Sequence, residues 1–136
     1  MYNDLKNISR VKKEFTDNRN QLAEELFKNA VSLIEKFMVN KNISTLKEAG
    51  DNLVNVIQYN DEHVGAYICS SYIFYVLENN QLALDYLEKA EKILPNIKNL
   101  LASFKSKLLE NKISYIQTKV VVSKESNFWK AMKKLF

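Results

Sequence analysis

Apolar residues recur at intervals of three and four along most of this chain, which is the period of helices with one buried face. Between Asn20 and Val39, Leu22, Leu26, Ala30, Leu33, Ile34 and Phe37 share one side, with Glu24, Glu25, Lys28 and Lys36 between them. This predicts an amphipathic helix capped by Asp17 or Asn18 and ended by the polar stretch 40–44, preceded by a shorter helix over residues 2–15. Ser44 or Thr45 can cap the next helix, in which Leu46, Ala49, Leu53, Val56 and Ile57 mark the inner face up to about Tyr59. Asp61 opens a third helix, His63 to Leu77, nearly free of charge all round. Such a helix is buried on several sides or keeps one face for a ligand. After a turn at Asn79-Asn80, residues 81–94 turn Leu82, Ala83, Tyr86, Leu87, Ala90, Ile93 and Leu94 inward until Pro95 stops them. A last body helix is expected from about Ile97 to Thr118.

The final 11 residues form a separate pattern. At about 100° per residue, Phe128, Trp129, Met132, Leu135 and Phe136 share one arc and Lys130, Lys133 and Lys134 the opposite one. Charge sets this tail apart as well. Lys and Arg balance Asp and Glu, 15 against 15, over residues 1–118, but stand 5 against 1 from Lys119 onward. Between body and tail, the β-branched run in residues 119–126 reads as a tether. The expected organisation is a helical domain over 1–118, a tether over 119–126 and a basic amphipathic tail helix over 127–136.

Two glycines and one proline in 136 residues support an all-α chain. No stretch reaches the roughly 20 apolar residues that cross a bilayer. The single Cys69 forms no intramolecular disulfide, and the first residues lack the apolar run of a secretory signal, so a cytoplasmic chain is expected. His63 is the only histidine, and no cluster of Cys, His or carboxylates offers a set of metal ligands. Gly50 and Gly65 are too few for a phosphate-binding loop. No catalytic, cofactor or metal site is therefore expected.

The series Tyr67, Ser70, Ser71, Phe74, Ala83, Leu87, Ala90 and Pro95 resembles the tetratricopeptide repeat, a 34-residue helical hairpin in which small residues mark the close approach of its two helices. Ser70 departs from the pattern. The resemblance covers residues 61–95 well and 20–60 in degenerate form, where Ala49, Leu53 and Val56 match the second helix. It implies antiparallel hairpins stacked under a capping helix, or completed by a second subunit. It also implies a groove lined by the first helix of each hairpin: Ile68, Tyr72 and Tyr75 in the better repeat, and Phe27, Val31 and Ile34 in the degenerate one. A groove so apolar favours a hydrophobic partner segment, although the same residues suit the core of a small bundle.

The apolar arc of the tail fits three surfaces: an anionic membrane met also by the three lysines, a partner protein, or the chain's own groove over Ile68, Tyr72 and Tyr75. It resembles the short terminal membrane-targeting helices of bacterial cell-division and positioning proteins. The expectation is thus a non-catalytic adaptor that holds a protein segment and docks peripherally at the inner face of the plasma membrane. A tetratricopeptide chaperone of a bacterial secretion system and a small subunit of a larger complex are the alternatives. Five tail cations without arginine make a poor footprint for nucleic acid.

Overall fold

In a computed structural model of the chain, residues 2–109 and Trp129 are described, with side-chain surroundings given from Ile8 onward and Lys107 excepted. Over residues 2–109 five α-helices follow one another: α1 (Tyr2–Asn40), α2 (Ile43–Tyr59), α3 (Val64–Val76), α4 (Asn80–Ile93) and α5 (Lys98–Leu109), with a 3-10 turn at Pro95–Ile97. The all-helical expectation holds among the described residues. Residues 110–118, the tether over 119–126, and every tail residue except Trp129 lie outside them.

Connections of a few residues turn each helix back against its predecessor, so neighbours in sequence are neighbours in space. Side chains cap the starts. Asn42 accepts from the Ser44 backbone N–H at 3.0 Å, His63 Nδ1 from the Ala66 N–H at 3.1 Å, and Asn79 from the Leu82 N–H at 3.2 Å. The expected caps at Ser44, Thr45 and Asp61 are therefore displaced. Ser44 instead spends its hydroxyl on Asn42, at 2.8 Å. Pro95 ends α4 as expected and starts the 3-10 turn.

The largest departure from the sequence reading is α1. Its 39 residues run without a break at Asp17 or Asn18. The polar run 16–20 holds neither Gly nor Pro, and Thr16 donates to the Lys12 carbonyl at 3.0 Å within the helical ladder. Its cap-forming residue types simply face solvent. The buried face of α1 is also rotated from expectation: Ala23, Phe27, Ala30, Ile34 and Phe37 are buried, Leu26 and Leu33 are half-buried, and Leu22 is exposed. In α4, Leu82 and Leu94 likewise lie outside the core, one in the opening turn and the other at the C-cap.

Two packed clusters hold the helices. The first joins α1, α2 and Ala66, Cys69, Tyr72 and Ile73 of α3; the second joins Tyr67 and Ile68 of α3 to α4 and α5. Because α3 serves both, all nine residues from Gly65 to Ile73 are buried, which accounts for a helix with no charged side. Where α3 meets α4, Ser71 is fully buried and its hydroxyl donates to the Ala83 carbonyl at 2.6 Å. A side chain of that size is what lets the two backbones come so close.

Candidate functional site

Trp129 belongs to the first cluster. Its residue is helical and only 3% exposed, and its ring lies 5.3 Å from that of Tyr72 at a tilt of 41°. Aromatic pairs at this separation attract beyond the area they bury. The same cluster includes Ala23, Phe27 and Ala30 of α1 and Cys69 and Ile73 of α3. Trp129 thus packs against the body of its own chain.

The seam between α1 and α3 is fixed close by. His63 uses Nδ1 to cap α3 and places Nε2 2.6 Å from Glu24 Oε1, while its ring sits 4.5 Å from that of Phe27. One imidazole therefore ties the start of α3 to α1. Replacing His63 by alanine removes cap and tie together and should cost about 1 kcal/mol of stability, whereas His63→Asn should recover most of the cap; urea unfolding of the two variants checks this. Burial pushes the Cys69 thiol well above its ordinary pKa, so it packs as an apolar group. Among the described residues, no group of three or more His, Cys, Asp and Glu side chains could hold a metal ion. No described helix is long and apolar enough to cross a membrane.

The residues assigned to a groove do not share one open surface. Ile68 is buried in the second cluster, where Tyr75, half-buried, meets Phe104 of α5 edge-on at 5.3 Å. Tyr72 is buried in the first cluster beneath Trp129. In the degenerate repeat Phe27 and Ile34 are core and Val31 is half-buried. Four of the six are therefore buried and two, Val31 and Tyr75, half-buried, with Tyr72 covered by the tail's own tryptophan. Of the remaining tail residues, Phe128, Lys130, Met132, Lys133, Lys134, Leu135 and Phe136 fall outside the described residues.

Sequence reasoning missed the partnership of Glu24, Phe27 and His63. Nothing local to any of the three announces it, because a 39-residue separation in the chain hides the contact. The chain matches no protein-family model, no curated protein and no solved structure.

Proposed function

We propose that this protein is a non-catalytic, tetratricopeptide-like adaptor whose surface over Tyr72 receives an apolar helical segment, and whose own tail fills that surface until an anionic membrane draws the tail away. The single observation behind this reading is the seating of Trp129 on Tyr72. A site that accommodates the indole of Trp129 is suited to an aromatic residue carried on another apolar segment. The close approach of α3 and α4 at Ser71 is what a tetratricopeptide hairpin requires, and it supports the architectural half of the proposal.

Magnitudes make the exchange feasible. Burial of an indole stabilises by about 3–5 kcal/mol, reduced by the entropy of ordering the residues that carry it. An anionic bilayer offers the apolar arc comparable burial, and Lys130, Lys133 and Lys134 add about 1 kcal/mol each near the surface. The two sites are thus matched closely enough for lipid to compete. Once the tail leaves, Tyr72 is uncovered for a partner segment, so membrane docking and partner capture become coupled.

Trp129 is the only tryptophan, and its fluorescence tests the proposal directly. With anionic vesicles containing brominated lipid at low ionic strength, its emission should be quenched, while neutral vesicles of the same bromine content leave it unchanged. Emission indifferent to both would contradict the proposal and make the tail a fixed part of the helical body.

A further inference from the structure

The first helix outruns the helix packed on it. α2 ends at Tyr59, beside Arg19, whose guanidinium donates to the Gln58 carbonyl at 3.1 Å. Residues 2–18 continue as an arm about 25 Å long at 1.5 Å per residue. On it Ile8 is 62% exposed, Val11 52% and Phe15 69%, and spacings of three and four put them on one face with Lys12 and Arg19. Leu22, also exposed, extends the stripe to 15 residues, a rise of about 21 Å. So long an apolar stripe on a helix marks a contact surface.

A complementary feature lies elsewhere on the body. Between α2, α3 and α4 runs an open cleft of about 350 Å³, lined by Ile43, Gly50, Val54, Ile73, Leu77 and Tyr86 among others. A Cβ on Gly50 would meet nothing within 4 Å. Among the described residues no contact therefore demands glycine there, although glycine weakens a helix interior relative to alanine. The vacant position leaves room for a second helix to approach closely. From Ile43 to Ile57 the α2 side of the cleft also spans 15 residues, the length of the exposed stripe.

We propose that the arm of one copy packs into the α2–α4 cleft of a second copy, head to tail. Charge favours this pairing over one between two arms. Residues 8–19 carry four Lys and Arg against two acids, so arms repel one another, whereas residues 43–96, the stretch within which the cleft lies, carry three Lys against eight acids. Asp51 and Lys47 line the cleft itself, and Lys12 and Arg19 flank the arm's stripe, so Asp51 is the acid within the cleft available to those cations. The arm cannot reach its own cleft, because α1 is continuous and contains neither Gly nor Pro at which to fold back. Since the two surfaces differ, each copy keeps one unused arm and one unused cleft, and the assembly is open-ended or a ring.

Sedimentation at low ionic strength tests the pairing by complementation. The native chain should grow in mass with concentration, beyond one chain, and lose that growth at high salt. Phe15→Glu spoils the arm and Gly50→Arg fills the cleft; both change positions open to solvent, and circular dichroism should show both variants as helical as the native chain. Each alone should stay monomeric, and their equimolar mixture should recover a dimer and stop there, because only one intact arm and one intact cleft remain. A monomeric native chain, assembly of Gly50→Arg like the native chain, or a mixture that stays monomeric overturns the proposal. Unchanged Trp129 emission in both variants keeps this result separate from the seating of the tail.

Discussion

Trp129→Ala should unfold with about 3 kcal/mol less free energy than the native chain, at the low end of the range for truncating a buried tryptophan. The low end is expected because part of the lost burial is returned as freedom of the tail. Tyr72→Ala should remove a similar amount, and the double variant should fall short of the sum by about 1 kcal/mol, the coupling of one aromatic pair. Denaturant unfolding followed by circular dichroism measures all three without relying on the indole. Values within 0.5 kcal/mol of the native chain, the range of ordinary surface substitutions, would place Trp129 outside the core. Tyr72→Glu is the harsher change. It puts a carboxylate at a position 5% exposed, and loss of the fold is the expected result rather than selective loss of binding.

Ser71→Leu is the second substitution with a large expected effect. Ser71 has no exposed surface, and its hydroxyl donates to Ala83 across the α3–α4 contact at 2.6 Å. A leucine there must push the helices apart, costing about 1–3 kcal/mol for overpacking, and it leaves the buried serine's partner without that donor, costing about 1 kcal/mol more. Ser71→Ala removes only the hydrogen bond and should cost about 1 kcal/mol. A large difference between the two variants identifies close approach, not hydrogen bonding, as the reason for a small side chain. Equal costs would mean that the backbones have room to spare.

The helices were readable wherever one face carried the periodicity and a hard stop followed. Leu46, Ala49, Leu53 and Val56 are all fully buried, and Pro95 ends α4 as its missing N–H requires. Starts were read less well. Asp17 and Asn18 are good capping residues but equally acceptable on the exposed side of a long helix, and no local signal separates the two uses. For α3, the absence of charge announced burial without saying which neighbours supply it. Its two clusters depend on where α1, α4 and α5 come to lie. The apolar spacing of the tail pointed to Trp129 as a docking residue, yet membrane, partner and self-docking use the same arc, so only the fold could bring Trp129 onto Tyr72. The spacing of Ile8, Val11 and Phe15 was equally visible, but that this face is exposed depends on α2 ending at Tyr59.

The seating of the tail is tested most directly by the emission and acrylamide quenching of Trp129 in the full-length native protein. Seated on Tyr72, the indole should emit at the short wavelengths of an apolar surrounding and resist acrylamide, shifting to longer wavelength and becoming open to quenching only as the helices unfold. An emission already that of a solvated indole in the native protein, quenched as freely as in denaturant, would contradict the account.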